Sequence, residues 1–546
     1  MASTACKKQL DVKNPNDPTF GGNVNTEAGL AAYAKGSVYW NGFSNGDGWL
    51  GDSYFSLPWG YHELMGDVVG GGQGSNNQTT TMGVPDSFIA DPANPGSTTF
   101  TNSAPQATSI IRSFNNAAST GQGNNALYYE WLNMYALINS ANTTLENVAS
   151  IASLSADKVN AVKAWAYWWK GYAYAQIGTL YYAGLIVDHS NTVVSTFVPQ
   201  ATIIAESNKQ LNLALTTLKG IGNQGDYKAM MDQIIPSQNK TGLGNTPSTA
   251  EFIATINTML ARNILLNHLA PFVNGNPSAS ISKASIPAMT SADWTAVVTY
   301  ASAGVQKGMN VFTGRSSTSN SFFSATAGTV ASICASSNQN TTYKVSERLV
   351  QAFPAGDKRL ANFTAANGTF YGDANTNTTR WSLVDGVTAG LSGIPVLGSR
   401  QIGGIEVYIG PTYEENALML AEANIRSGNI SAGVALIDAV RASQGAGVAP
   451  LSTSLTVAQA MTELTNERYA ALAFRGLSYY DARRWGWTYG TAVGGGRYGA
   501  TLIFNKVVYN NATINYNFMD YWDVPGDETE KNPPATGSSA IKNPNY

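Results

Sequence analysis

The stretch that says most about the fold runs from Asn466 to Trp487 and reads NERYAALAFRGLSYYDARRWGW. It continues a helix that begins near Val457 and is expected to bury three side chains, Leu464, Leu472 and Phe474. Gly476 predicts the end of this helix, because glycine tolerates the left-handed backbone that often closes one. A short helical turn follows, in which Asp481 and Arg484 stand three residues apart and are able to pair.

Outward from this stretch, long segments with apolar residues at helical spacing alternate with short polar links. The predicted helices are 28–40, 127–148, 157–182, 202–220, 248–269, 292–310, 412–427, 430–442 and 457–474. Their arrangement in pairs is typical of stacked helical hairpins of the tetratricopeptide kind, although no strict repeat consensus is visible. The sequence therefore predicts a mainly α fold with little β structure and a helical core of 126–310 and 412–487.

Two long segments, 41–125 and 311–405, interrupt this pattern. They are rich in Gly, Asn, Ser and Thr and are predicted to be irregular. Long loops in a folded domain tend to carry function, so we expect both segments to face a ligand. The end of the chain also reads mostly as loop, with 507–509 as a possible short strand.

The surface must consist mainly of neutral polar groups. Charged residues make up only 12% of the 546 residues, and the net charge is -3. This composition argues against a nucleic-acid-binding protein, which would need a basic surface. No apolar run is long enough to predict a membrane-spanning helix.

No residue constellation points to catalysis, a metal or a cofactor. The three histidines, His62, His189 and His268, are isolated, and His62-Glu63 lacks the second histidine of a zinc-protease helix. No serine stands in a convincing nucleophile elbow. A glycosidase needs two positioned carboxylates, and the spacing of the acids selects no pair. We predict a non-enzymatic protein without cofactor or metal.

Aromatic residues in the two irregular segments are the candidate ligand contacts. An aromatic ring stacks on the apolar face of a sugar, and neighbouring amides and guanidinium groups bind its hydroxyls. The candidates are Trp49, Trp59, Phe88, Tyr343, Tyr371 and Trp381. For any single one of them, the alternative is that the ring anchors a loop to the core. By contrast, the aromatic cluster from Trp165 to Tyr182 has helical spacing and is predicted to be core.

Several motifs together resemble the SusD/RagB family of outer-membrane lipoproteins. The opening stretch matches the family pattern through Glu467, Arg468, Leu472, Ala473, Phe474, Gly476, Asp481, Arg484, Trp485 and Gly486. Further matches follow the family order at Trp131 to Asn142, at Phe353, Asp357 and Arg359, at Tyr413 to Ala423, and from Val524 to Pro533. The family usually has Glu at the positions of Ala471 and Arg475 and Arg at that of Ser478, which puts a local ion network in doubt.

The resemblance implies a non-catalytic protein that captures an oligosaccharide, or sometimes a peptide, at the cell surface. It implies a SusC-like TonB-dependent transporter in the outer membrane as the partner. It also implies a lipid anchor, for which Cys6 is the candidate because small residues precede it. Residues 1–27 are then a leader and tether, and 28–546 form one SusD-like domain that contacts the membrane only through the lipid. A surface assembly protein without a small ligand, and a glycan hydrolase, remain alternatives.

Overall fold

The computed structural model describes residues 24–40, 57–71, 82, 84–101, 112–116, 126–275, 286–315 and 343–545, with short gaps at 95, 366, 369, 372–377, 387–389, 400, 402 and 517. The helices are α1 (Glu27–Lys35), α2 (Leu57–Met65), α3 (Arg112–Asn116), α4 (Ala126–Val148), α5 (Ala156–Leu180), α6 (Gln200–Lys219), α7 (Gln224–Ile234), α8 (Thr249–Asn267), α9 (Ala270–Gly275), α10 (Ser291–Ser302), α11 (Glu347–Ala352), α12 (Tyr413–Arg426), α13 (Ile430–Ser443), α14 (Val457–Ala471), α15 (Ser478–Trp485) and α16 (Gly526–Lys531). The predicted mainly α architecture is confirmed. In the part of the chain that the structure describes, no helix is both long enough and apolar enough to cross a membrane.

Several long helices pack around α5. Helices α4 and α6 lie against it, and nearly every residue from Ala161 to Leu180 is buried. The rings of Trp165, Trp168 and Trp169 surround Phe312, with centroid distances of 5.4, 5.9 and 5.7 Å. The predicted aromatic core is confirmed. A helix this apolar on all sides is stable only because neighbouring helices cover each face.

A second block comprises α12, α13 and α14, with α10 joining it to α8. Helices α8, α10 and α14 each begin with a capping box, formed by Ser248 with Glu251, Thr290 with Asp293, and Thr456 with Gln459. Such reciprocal side-chain bonds satisfy N–H groups that have no partner inside the helix. The helix expected over 292–310 ends at Ser302, and α7 was not predicted.

Short strands lie in the segments between the helices. They are β1 (Val69–Gly71), β2 (Ser87–Ile89), β3 (Thr99–Thr101), β4 (Ala183–Gly184), β5 (Val198–Pro199), β6 (Thr313–Gly314), β7 (Tyr343–Val345), β8 (Phe363–Ala365), β9 (Trp381–Leu383), β10 (Val407–Tyr408), β11 (Arg497–Phe504) and β12 (Val507–Asn515). The largest sheet has the order β11-β12-β2-β3, and β1 pairs with β7 and β8 with β9, all antiparallel.

The expectation that 41–125 is irregular is wrong where the structure describes it. This segment contributes helices α2 and α3 and strands β1, β2 and β3. The nine residues of α2 are almost all buried, so they show no alternation of apolar and polar faces that would reveal a helix. The strand expected at 507–509 extends to Asn515 and belongs to a hairpin.

The family motifs converge on buried ion pairs. Arg468 and Arg484 both bind the carboxylate of Asp481, and Arg484 also binds Glu422 on α12. The pairing of Asp481 with Arg484 is therefore confirmed, at 2.7 Å. A nearby cluster joins Glu467 to Arg359 and Arg441. The family residues replaced at Ala471, Arg475 and Ser478 put a local ion network in doubt. An ion network is nevertheless present, and most of its charges belong to the family motifs.

A buried carboxylate fastens the turn between α14 and α15. The Glu63 side chain on α2 accepts the backbone N–H of Phe474 at 3.1 Å and that of Gly476 at 2.8 Å. Both residues have left-handed backbone, with φ of 62° and 70°. Burial raises the pKa of Glu63 to about 7, although these two N–H groups lower it in part.

This pKa predicts how stability depends on pH. The folded protein retains the Glu63 proton up to about pH 7, whereas the unfolded chain releases it near pH 4.5. Between these values the folded state binds more protons, so the free energy of unfolding contributed by Glu63 falls as pH rises. We expect the stability advantage of the wild type over Glu63→Gln to shrink by up to about 3 kcal/mol through this window. Chemical denaturation at a series of pH values measures it, and a pH-independent difference would contradict the assignment.

Candidate ligand-binding surface

The predicted contact residues that the structure describes do not all lie at one surface. Trp49 lies outside the described residues, as does Cys6. Phe88 is 1% exposed and packs against Phe100 and Phe504, with centroid distances of 5.2 Å to each. Trp59 is 7% exposed, and its indole lies beside Gly476. Rings this buried cannot stack on a sugar, so the structure argues against Phe88 and Trp59 as contacts and favours the alternative that they anchor the core.

The aromatic positions of the second long segment come together instead. Strand β7, which begins at Tyr343, packs beside β9, which begins at Trp381. Tyr371 joins the same region, because its backbone exchanges two hydrogen bonds of 3.0 Å with Thr379. Tyr371 and Trp381 are both half-buried. For Tyr343 the structure describes the backbone alone. The segment 343–383 thus brings the backbone of three of the six positions into one region.

A buried carboxylate organises this surface. Glu347, the first residue of α11, has a fully buried side chain, and it accepts the backbone N–H of Arg380 at 3.1 Å. The Arg380 guanidinium donates to the same carboxylate through Nε, at 3.2 Å, and through Nη2. The indole N–H of Trp381 points to it at 3.4 Å, and Gln351 donates to it at 3.0 Å. One side chain therefore orients both Arg380 and Trp381.

Helix α11 is itself firmly held. Ser346 caps its first turn and also donates to Asp67 at 3.1 Å. Arg348 binds the two carboxylate oxygens of Asp67 at 2.5 and 2.6 Å, and Arg497 reaches the same group. Burial alone would raise the pKa of Asp67, but the two arginines hold it below its usual value. Because the support is rigid, Arg380 and Trp381 lose little conformational entropy when a ligand binds.

The exposed parts of this surface match the chemistry of a sugar. The Arg380 side chain is 38% exposed. Within the described residues its Nη1 has no hydrogen bond, so it is available to a hydroxyl oxygen. The half-buried Trp381 offers an aromatic ring beside it. Among the described residues no group of His, Cys, Asp and Glu is arranged to hold a metal ion.

The sequence suggests Tyr371 and Trp381 as contact residues but gives no sign of Glu347. Trp381 was singled out for its neighbours, which include Arg380. Glu347 lies 33 residues before Arg380, and no local pattern links the two. A contact of this kind follows from strand and helix packing rather than from spacing.

Comparison with known families matches one segment in each half of the chain. A family model described as starch-binding and associating with the outer membrane matches residues 80–235. The SusD family model matches residues 413–546, which include the motif stretch Asn466–Trp487. Together the two matches cover more than half of the sequence. The chain belongs to the SusD/RagB family. For this SusD-family protein, a search of curated protein sequences finds no match.

Solved structures share the fold of this SusD-family protein over nearly its whole length. A SusD superfamily protein from Parabacteroides distasonis has a TM-score of 0.55 and 13% identity, covering 94% of this chain and 98% of its own. Surface glycan-binding protein A from Bacteroides fluxus has a TM-score of 0.54 and 14% identity, covering 95% and 99%. A protein solved with a xylogluco-oligosaccharide has a TM-score of 0.53 and 14% identity, covering 94% and 98%. At these identities the likeness shows the fold alone.

Proposed function

We propose that this protein captures a glycan at the outer face of the outer membrane, without catalysis, and delivers it to a SusC-like TonB-dependent transporter. The observation that carries the proposal is the unit formed by Arg380 and Trp381, which a buried Glu347 holds at a loop-rich surface. Family membership supports the setting, and so do the relatives described as a surface glycan-binding protein and as an oligosaccharide complex.

The contact surface that we propose is the Trp381 ring with the guanidinium of Arg380, flanked by Tyr371. Tyr343 and Trp49 remain candidates for the same surface. A sugar ring stacked on Trp381 would place its hydroxyls within reach of the neighbouring guanidinium. Only 12% of the residues are charged, and a surface with so few charges fits an uncharged ligand.

Isothermal titration against soluble xyloglucan, galactomannan, amylopectin and arabinan tests this proposal. We expect at least one of them to bind, and Trp381→Ala to weaken that binding by about thirtyfold, since a central aromatic contact typically contributes about 2 kcal/mol. The matched control is Trp294→Ala, which removes a partly buried tryptophan that packs with α8 and α12. Equal loss of binding in both variants, or undiminished binding by Trp381→Ala, would remove Trp381 from the site.

The non-catalytic role predicts that prolonged incubation releases no reducing ends from the glycan that binds.

We further propose that Cys6 carries a lipid, with 1–27 as leader and tether and 28–546 as one ligand-binding domain. In the native host, Cys6→Ser should then move the protein from the membrane fraction to the soluble fraction. When the wild-type protein is purified from a detergent extract of the membranes, the transporter should purify with it. An unchanged membrane fraction would rule out Cys6 as the anchor.

A further inference from the structure

The proposed glycan surface has an arginine at its exposed side and a carboxylate behind it. We infer that Glu347 sets the charge specificity of this surface: by neutralising Arg380 it makes the protein select uncharged glycans over acidic ones. The inference rests on the proposed function, since it concerns the ligand of the same site. It goes further, because it assigns to one buried residue the discrimination between two classes of glycan.

In the ion pair of Arg380 and Glu347, the carboxylate is shielded from solvent by the protein. Arg380 approaches Glu347 through its backbone N–H, Nε and Nη2, so the guanidinium is pinned with its charge against the carboxylate. Glu347 has no exposed side-chain surface, whereas Arg380 is 38% exposed. A ligand therefore meets the arginine and never the carboxylate. The arginine still donates hydrogen bonds, but its charge is already balanced at contact distance.

The other cations of the neighbouring elements lie deeper. The side chains of Arg348 and Arg497 are 4% and 13% exposed, and both bind Asp67. Lys344 on β7 is 4% exposed. Among these four cations Arg380 is the most exposed, so a carboxylate on a sugar would meet it first. With Glu347 in place, that carboxylate loses water and gains little attraction in return.

Glu347→Gln separates charge from shape. The amide has the size of the carboxylate and keeps an oxygen that can accept from Arg380, but it carries no charge. Because Arg380 reaches solvent, its unbalanced charge remains hydrated in the variant. One carboxylate oxygen becomes an amide donor, so either the backbone N–H or the guanidinium of Arg380 loses its acceptor, and we expect a moderate loss of stability. The variant should therefore present a net positive charge at an otherwise similar surface.

The test uses a matched pair of ligands. One is whichever of xyloglucan, galactomannan, amylopectin and arabinan binds the wild type, and the other is the same glycan with its primary hydroxyls selectively oxidised to carboxylates. We expect the wild type to bind the oxidised form no more tightly than the neutral form, with an affinity that does not change with salt. Glu347→Gln should shift the ratio of affinities toward the oxidised form by about fivefold to tenfold, and added salt should abolish this shift. The double variant Glu347→Gln with Arg380→Gln should return the ratio to that of the wild type.

Each outcome supports or overturns the charge role of Glu347. An unchanged ratio in Glu347→Gln, or a wild type that binds the oxidised form tenfold more tightly in a salt-dependent way, overturns the charge role and leaves glycan capture standing. Failure of every neutral glycan to bind refutes the proposed function and the inference with it. Should Glu347→Gln not fold, the wild-type comparison of the two ligands at low and high salt still decides, because it needs no variant.

Discussion

Glu467→Ala should destabilise the protein by about 3–5 kcal/mol, the cost typical of breaking a buried ion pair by removing one partner. Glu467 is 1% exposed and receives Nη1 of Arg359 at 2.6 Å and Nη2 at 3.0 Å. The Glu467 carboxylate also accepts a hydrogen bond from Nε of Arg441 at 3.0 Å. The variant leaves each of two buried guanidinium groups with one counter-charge fewer: Arg359 keeps Asp357, and Arg441 keeps only the more exposed Glu463.

The same helix provides a matched control. Glu463 pairs with Arg441 at 2.8 Å, but its side chain is 34% exposed. Solvent screens such a pair, so Glu463→Ala should cost no more than about 1 kcal/mol. Urea denaturation of the wild type and the two variants measures the difference. Equal effects from the two substitutions would show that burial does not set the strength of this network.

Gly476→Ala should cost about 3 kcal/mol, through two separate causes. The residue has φ of 70°, a left-handed conformation that costs an L-residue about 1–2 kcal/mol. A Cβ there would lie 2.8 Å from Cδ1 of Trp59, and overpacking of this kind typically adds about 1–3 kcal/mol. Trp59 is 7% exposed and has little room to move away.

Gly428→Ala isolates the first cause. Gly428 has φ of 85°, and an added Cβ would meet nothing within 4 Å. We therefore expect only the backbone cost, about 1–2 kcal/mol. Thermal or urea unfolding of both variants gives the comparison. If the two substitutions cost the same, the contact of Gly476 with Trp59 contributes nothing to the role of this glycine.

The aromatic residues show how far sequence reasoning reaches. Trp165, Trp168 and Trp169 were expected in the core because their spacing places aromatic side chains all around one helix. Phe88 and Trp59 were expected at a surface because they fall in the segment 41–125, which was predicted to be irregular. Phe88 is buried against Phe100 and against the distant Phe504, and Trp59 lies beside Gly476, so much of their burial comes from partners far away in the chain.

The proposed binding surface shows the same division. Tyr371 and Trp381 were both candidates from the sequence, and the structure pairs Tyr371 with Thr379, two residues before Trp381. Glu347 was not a candidate, because it falls in the segment 311–405 that was predicted to be irregular, and no local motif marks it. Its role follows from the packing of α11 against the loop that carries Arg380.

The sequence by itself determined most of the long helices, the aromatic core around α5 and the family, because periodicity and ordered motifs are local properties of a chain. Tertiary structure alone decided which loop aromatics are buried, how the motif charges meet in one network, and which carboxylate stands behind Arg380. These features depend on contacts between residues tens to hundreds of positions apart. The order of side chains along the chain does not specify such contacts until helices and strands have packed.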